Sequence, residues 1–223
     1  MKIYVYWNTN DNDCKKIFHF MSPDDKYSIT EKLEENNNLL IKRVWQPFDN
    51  ATEILSGIQE HELVIFLTHG TEDQILKYRN SPERDIKEYV LIDKENANIL
   101  NNKIVLAFCC LSAKDLGEFC VTPEIGCRAF VGFNKEIVYD NGKAAKSRHI
   151  IYQSYKIAFM KSLKYAIKHR CTIEEYRIKL MQYMRNEAAK AILEAEDRSL
   201  NNMYSGTIQG LVSLGDTAQK LFN

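Results

Sequence analysis

The segment Lys103-Ile104-Val105-Leu106-Ala107-Phe108-Cys109-Cys110 is an apolar run that ends in two cysteines. An earlier run, Leu63-Val64-Ile65-Phe66-Leu67-Thr68-His69-Gly70, ends in histidine and glycine. Continuous apolar runs of this length predict strands that are buried in a parallel sheet. Open α/β sheets place their sites at the edge where the carboxyl ends of such strands meet. The pair therefore predicts an imidazole beside a thiol, an arrangement suited to thiolate attack assisted by histidine.

Strand-like and helix-like segments alternate along the rest of the chain, which favours an α/β sandwich with a mostly parallel sheet. The predicted strands lie near residues 2–7, 39–45, 62–68, 103–109, 127–133 and 209–214. The predicted helices lie near residues 50–60, 94–101, 112–119, 144–169 and 172–196. Thr172-Ile173-Glu174-Glu175 predicts a capping box at the start of the last helix. The two long helices are expected to cover one face of the sheet, and residues 1–223 are expected to form a single domain.

Composition limits the classes of partner. The 223 residues are 45% hydrophobic, which is ample for one large core, and 30 basic residues balance 30 acidic ones. No global charge therefore draws the protein towards nucleic acid or a membrane surface. No run approaches transmembrane length, and the N-terminal residues lack the apolar stretch of a signal peptide. We expect a cytoplasmic protein with reduced cysteines and no nucleic-acid or membrane partner.

Two short motifs close the apolar runs, Thr68-His69-Gly70 and Cys110-Leu111-Ser112-Ala113. They resemble the paired motifs of the caspase-like cysteine peptidases, which include metacaspases, gingipains, separases and the bacterial CHAT proteases. Further along, Ala113-Lys114-Asp115-Leu116-Gly117, Cys127-Arg128-Ala129-Phe130-Val131-Gly132-Phe133 and Gly210-Leu211-Val212-Ser213-Leu214-Gly215-Asp216 resemble the next helix, the next strand and the Leu-Gly-Asp ending of CHAT-like and gingipain-like members. The resemblance covers the chain from about residue 62 to the C-terminus. It implies a caspase-like three-layer α/β/α sandwich with a mostly parallel six-stranded sheet.

The resemblance also implies a mechanism. Cys110 would be the nucleophile, and His69 would activate it or protonate the leaving amine. A thiol is mostly protonated at neutral pH, so it needs such a base. The backbone N–H groups of Gly70 and Cys110 would form the oxyanion hole, and glycine suits this role because no side chain blocks the approaching carbonyl. No third, acidic member of the site can be assigned from the sequence.

The adjacent Cys109 is the alternative nucleophile. In the family pattern a small residue precedes the nucleophile, and Ser or Thr follows it after one variable residue; Cys110 satisfies this pattern and Cys109 does not. Strand alternation places Val105, Ala107 and Cys109 on one face of the sheet and leaves Cys110 at the strand exit. The pattern therefore favours Cys110, with Cys109 as a small buried filler. A shift of one residue at the strand end would exchange the two.

No cofactor and no metal are expected. Neither Cys109-Cys110 nor Cys120 with Cys127 has the short paired spacing of a zinc knuckle. The chain also lacks a Gly-x-Gly-x-x-Gly or Walker-type loop for a nucleotide.

Substrate specificity is less clearly encoded. The resemblance implies that the primary pocket is built by the loops after the first strand and after the strand that follows the nucleophile. Asp11 and Asp13 lie in the first loop, and Glu136 and Asp140 lie in the second. These four predicted substrate-binding residues favour arginine or lysine before the scissile bond. Lys135 argues for an acidic side chain instead, and ordinary loop charges facing water are the other interpretation.

We therefore expect an intracellular cysteine endopeptidase that acts on protein or peptide substrates and stays latent until a protein partner binds or a loop is cleaved. The stretch from Tyr139 to Arg148, with Lys143 and Lys146, is a candidate processing segment. CHAT-like proteases are often encoded beside bacterial defence or cell-death genes, so the resemblance suggests antiviral defence or cell death. Two alternatives are a catalytically silent caspase-like interaction module and a different thiol chemistry, such as acyl transfer.

Overall fold

The fold is built around a six-stranded sheet. A computed structural model describes residues 1–35, 38–44, 51–77, 90–139 and 145–222. The strands of the sheet, in chain order, are β1 (Lys2–Asn8), β2 (Asn38–Val44), β3 (Leu63–Leu67), β6 (Ile104–Ala107), β7 (Ala129–Phe133) and β8 (Leu211–Gly215). A separate two-stranded antiparallel sheet joins β4 (Ile75–Leu76) to β5 (Val90–Ile92).

The order of strands in the large sheet is β2-β1-β3-β6-β7-β8. All neighbouring pairs are parallel except β7 with β8, which are antiparallel. In the register of the two central strands, Leu63 lies opposite Ile104 and Phe66 lies opposite Ala107. The carboxyl ends of β3 and β6 therefore meet at one edge of the sheet. The predicted α/β class and the mostly parallel six-stranded sheet are confirmed.

Helices cover both faces of the sheet. They are α1 (Asn12–Ile17), α2 (Thr30–Glu34), α3 (Ala51–Gln59), α4 (Asp115–Cys120), α5 (Ala145–His169), α6 (Ile173–Ala195) and α7 (Leu200–Gln209). The predicted capping box is present: the Thr172 side chain accepts the N–H of Glu175, and the Glu175 carboxylate accepts the N–H of Thr172. It satisfies two backbone donors that the first turn of α6 would otherwise leave unpaired.

The two faces have different cores. The two long helices α5 and α6 cover the first face, as predicted, and Phe159 of α5 packs on Phe108 with ring centroids 4.6 Å apart. The opposite face packs against the shorter helices α3 and α4, where Ile58 and Leu116 are fully buried. Burial of an aliphatic or aromatic side chain of this size contributes about 1.5–3 kcal/mol. The result is a three-layer α/β/α sandwich.

The structure corrects several predicted elements. The segment predicted as helix 94–101 contains a short 3-10 helix, Ala97–Leu100, and the helix predicted from residue 112 begins only at Asp115. The helices α1, α2 and α7 and the β4–β5 hairpin were not predicted, because each is short or weakly periodic. Among the described residues, no helix is both long and apolar enough to span a membrane.

Candidate active site

The turn after β1 places an acidic residue at the carboxyl edge of the sheet. Asn8 is fully buried, and its side-chain oxygen accepts the N–H groups of Asn10 and Asp11, which closes a tight turn. Asp11 then caps α1, since its Oδ1 accepts the N–H groups of Asp13 and Cys14, each at 2.9 Å. The loop predicted after the first strand therefore leads into a helix whose cap fixes the Asp11 carboxylate.

His69 follows β3 and is held by the start of the β4–β5 hairpin. The carbonyl of His69 accepts the N–H of Leu76 at 3.0 Å, and Gly70 forms an isolated antiparallel bridge with Ile75. The Thr68 hydroxyl donates to the carbonyl of Leu76 at 2.8 Å. The backbone on both sides of the imidazole is therefore fixed, and the His69 side chain is 16% exposed.

The turn after β6 presents Cys110. Leu111, the next residue, has a φ of 57°, in the left-handed region that residues with a branched side chain rarely adopt. The turn is tied to the end of β7: the N–H of Leu111 donates to Lys135, and the N–H of Ala113 donates to Phe133. The surrounding structure therefore enforces a strained turn immediately after the predicted nucleophile, as is common at functional sites.

Gly70 lies against the same turn. A Cβ atom at position 70 would lie 2.7 Å from the carbonyl oxygen of Cys110 and 3.0 Å from the Cβ of Cys109. Only glycine allows the two strand ends to approach this closely. Among the described residues, the backbone N–H groups of Gly70 and Cys110 donate to no backbone carbonyl. Two backbone donors therefore remain at the junction for which an oxyanion hole was predicted.

The two adjacent cysteines lie in different environments. Cys109 is fully buried in the core beneath α3 and α4, and burial raises the pKa of its thiol far above the ordinary range. Cys110 is partly buried at the strand exit and lines a cavity of about 480 Å³ together with His69. This separation agrees with the strand alternation predicted from the sequence.

A loop covers the thiol of Cys110. The N–H of Ile137 donates to Cys110 Sγ at 3.3 Å, and the carbonyl oxygen of Ile137 lies 3.8 Å from the same sulfur. The loop is attached to α7, because the N–H of Val138 donates to the Thr207 hydroxyl, which itself donates to the carbonyl of Glu136. Burial raises the pKa of the Cys110 thiol, which therefore stays protonated in this arrangement.

The imidazole of His69 contacts two side chains from the turn after β1. His69 Nε2 lies 3.2 Å from Asp11 Oδ2 and 3.7 Å from Cys14 Sγ. Burial opposes ionisation of Asp11, but the hydrogen bonds from His69 and from the N–H of Cys14 outweigh it and lower the pKa of the Asp11 carboxyl to about 2. Asp11 is therefore an anion at neutral pH, and it fixes one ring nitrogen of His69.

Most of the predicted substrate-binding residues line the cavity. Asp11, Asp13 and Glu136 lie on its wall together with His69 and Cys110. The Asp11 carboxylate is occupied by His69 and the cap of α1, and the Asp13 carboxylate accepts the hydroxyl of Tyr152. Glu136 is exposed.

Two basic side chains could affect the charge of this cavity, but only one of them, Arg148, lines it. The wall is therefore not uniformly acidic. Lys135, the residue that argued for an acidic substrate, donates instead to Gln209 at 3.3 Å. Asp140 lies outside the described residues.

The contacts of Asp11 and Cys14 with His69 are a feature of this site that the sequence did not predict. The sequence predicts Asp11 only as a charged loop residue and assigns no acidic partner to His69. A signal was present, because Asp11 precedes Cys14 and Ile17 at helical spacing and is a strong N-cap residue. Reading that signal would have predicted α1, although not its contact with β3.

Comparison with protein-family models and with curated proteins finds no match to this chain. The argument for function therefore rests on the residues at this edge of the sheet. It brings together a carboxylate, an imidazole, a thiol and two backbone N–H donors, which are groups used in acyl-transfer chemistry.

Proposed function

We propose that this chain is a caspase-like cysteine endopeptidase, with Cys110 as nucleophile and His69 as base and acid. One observation carries the proposal: His69 and Cys110 follow neighbouring parallel strands and line the same cavity. The close approach of Gly70 to the Cys110 turn adds to it, because it leaves room for a substrate carbonyl beside two backbone donors.

Asp11 gives His69 a defined role in this mechanism. With its Nε2–H donated to the Asp11 carboxylate, the neutral ring carries its lone pair on Nδ1. Nδ1 accepts the proton of the Cys110 thiol as the sulfur attacks the peptide carbonyl, and the N–H groups of Gly70 and Cys110 stabilise the oxyanion. His69 then gives this proton to the leaving amine, and water hydrolyses the acyl-enzyme to release the thiol. Asp11 is a positioning residue, because it acts through His69.

The covered thiol supports a latent enzyme. Cys110 cannot meet a peptide carbonyl while Ile137 lies against its sulfur, so activation requires the 136–138 loop to move. The candidate processing segment begins directly after this loop, although residues 140–144 lie outside the described part of the chain. Binding of a protein partner or cleavage in that segment would both release the cover.

A preference for arginine or lysine before the scissile bond remains part of the proposal. It rests on the carboxylates of Asp13 and Glu136 on the cavity wall, since Asp11 is committed to His69. Arg148 on the same wall favours the opposite sign. A peptide library decides between them: cleavage after basic residues that falls in Glu136→Gln supports the carboxylates, whereas cleavage after aspartate that falls in Arg148→Gln overturns the preference.

The dyad is tested by substitution. Cys110→Ala and His69→Ala are expected to lower peptide cleavage by about 10³-fold or more, because each removes a group that takes part in bond making. Cys109→Ala is the matched control and should keep its activity, since Cys109 lies in the core. Each protein is assayed intact and after limited cleavage within residues 139–148. Activity that survives Cys110→Ala but not Cys109→Ala would contradict the assignment.

The covered thiol also favours the alternative of a catalytically silent interaction module. An irreversible peptidyl electrophile separates the two. A peptidase should add one inhibitor mass at Cys110 after activation, faster than a free thiol of ordinary pKa. A module should show no selective labelling of Cys110 before or after limited cleavage.

A further inference from the structure

Three side chains of different chemistry converge at the edge of the active-site cavity. Asp11, Cys14 and His69 each offer one atom that can ligate a metal, and these atoms all lie within 4.8 Å of one another. The carboxylate and the thiol come from the N-terminal turn of α1, and the imidazole comes from the end of β3. The mechanism above uses His69 and Asp11 but gives Cys14 no role.

Two of the three distances between these atoms match a zinc site. Zinc bonds of about 2.0–2.2 Å to nitrogen or oxygen and about 2.3 Å to sulfur, at tetrahedral angles, separate N from O by roughly 3.4 Å and N from S by roughly 3.6 Å. The observed distances from His69 Nε2 are 3.2 Å to Asp11 Oδ2 and 3.7 Å to Cys14 Sγ. Small side-chain adjustments would therefore suffice to accommodate a metal.

The charges at this position also suit a cation. Asp11 Oδ2 contacts His69 Nε2, while Oδ1 accepts the backbone N–H groups of Asp13 and Cys14. Cys14 is fully buried, and its sulfur lies 3.7 Å from the same imidazole nitrogen. A bound metal would supply the missing positive charge and stabilise the thiolate.

We propose that Asp11 Oδ2, Cys14 Sγ and His69 Nε2 form a binding site for Zn²⁺ or a similar thiophilic divalent cation. The Cys14 thiol loses its proton to solvent when the metal binds. The fourth position of the tetrahedron is left for water or a ligand from the cavity, because Asp11 and His69 line that cavity. The sequence predicted no metal, since these ligands have no recognisable spacing along the chain.

The site would switch off the peptidase, a consequence that rests on the proposed function. Zinc on Nε2 occupies that lone pair, so the single proton of the neutral ring must lie on Nδ1. Nδ1 is the atom that accepts the proton of Cys110, so metal-bound His69 cannot act as the base. Zinc is therefore a reversible inhibitor that a chelator removes.

The experiment uses Co²⁺ as a spectroscopic probe of the full-length, reduced, metal-free chain. We expect a near-ultraviolet sulfur-to-cobalt charge-transfer band and intense visible bands of a tetrahedral ion, both displaced by Zn²⁺. Cys14→Ser should lose the charge-transfer band, whereas Cys109→Ser and Cys110→Ser should keep it. Asp11→Asn should weaken Zn²⁺ binding about 10-fold or more while preserving the fold, because asparagine also caps helices well.

The outcomes separate this proposal from the peptidase. Absence of the charge-transfer band in the wild type, or its loss in Cys110→Ser but not in Cys14→Ser, would overturn the metal site. If circular dichroism shows that Cys14→Ser does not fold, the test is the Zn²⁺ titration of Asp11→Asn. An unchanged Zn²⁺ affinity of that variant refutes the site. The readout needs no catalysis, so an inactive chain that gives the band refutes only the peptidase.

Discussion

Two aspartate–histidine pairs in the described part of the chain look alike in isolation and differ in their surroundings. Asp25 Oδ2 lies 2.7 Å from His19 Nδ1, and Asp11 Oδ2 lies 3.2 Å from His69 Nε2. Hydrogen bonds outweigh burial in both pairs and lower the pKa of each aspartate to about 2. Neither the contact nor the pKa therefore distinguishes a structural pair from a functional one.

The third group makes the difference. Asp25 also accepts a hydrogen bond from the basic side chain of Lys156, which ties the segment after α1 to α5. Asp11 has the Cys14 thiol in that position, and neither a lysine nor an arginine is among the groups that shift the pKa of its carboxyl. The Asp25 carboxylate is paired with both His19 and Lys156, and this pairing stabilises the fold. The second pair stays available for proton transfer or for a metal, and this comparison yields three predictions.

The largest expected effect separates activity from stability. Asp11→Asn should lower kcat/KM about 10- to 100-fold, because asparagine keeps the cap of α1 but no longer fixes the ring of His69 as a carboxylate does. It should also lose some stability, because the lowered pKa of Asp11 stabilises the fold as that of Asp25 does. Asp25→Asn should leave kcat/KM unchanged and cost about 1–3 kcal/mol of stability, because Lys156 loses its anionic partner. The measurements are steady-state kinetics on the activated chain and urea unfolding of both variants. If both variants lose stability but neither loses activity, the two pairs do not differ in function.

If Asp11 positions His69, the kinetics of Asp11→Asn should also show which parameter changes. Loss of orientation should appear mainly in kcat rather than in KM, and Asp11→Glu should restore part of the activity because it returns the negative charge. An unchanged kcat with a raised KM would place Asp11 in substrate binding instead, as the sequence first suggested.

The second prediction concerns pH. A carboxyl whose pKa is lower in the folded than in the unfolded chain stabilises the fold above the unfolded value, and this contribution disappears as the pH falls through the folded value. For Asp25 these values are 3.8 and about 2. The difference in unfolding free energy between wild type and Asp25→Asn should therefore be constant above about pH 5 and shrink towards pH 2. Urea unfolding across this range checks it, and a difference that persists at pH 2 would mean that packing rather than charge causes it.

Much of the fold was predictable because its signals are local. Apolar runs such as Leu63–Leu67 give the central strands, and Thr172 with Glu175 gives the start of α6. Alternation along the apolar run 103–109 also predicted that Cys109 is more buried than Cys110, although β6 itself ends at Ala107. The short α1 escaped because six residues carry too little periodicity to stand out from a polar loop.

The contacts of the candidate site were harder to predict because they are not local. Asp11 meets His69 only because β1 and β3 are neighbours in the sheet, and the turn at Asn8 directs the chain across their ends. Likewise, nothing near Ile137 in the sequence indicates that its N–H lies against Cys110. Both contacts depend on loop conformation, which strand order narrows but does not determine.

The last and smallest effect concerns the cover over Cys110. Thr207 is fully buried, and its hydroxyl accepts the N–H of Val138 at 3.4 Å and donates to the carbonyl of Glu136 at 3.3 Å, so it fastens the loop that covers the thiol. Thr207→Val keeps the shape of the side chain but removes both hydrogen bonds, which at 3.3 and 3.4 Å are long and together are worth about 1–2 kcal/mol. The open state should become roughly 5- to 30-fold more populated, and iodoacetamide should alkylate Cys110 faster by about that factor. Thr207→Ser, which keeps the hydroxyl, is the matched control. If Thr207→Val reacts no faster than Thr207→Ser, the loop is not held by α7, and the latency of the nucleophile must come from the covering residues 136–138 themselves.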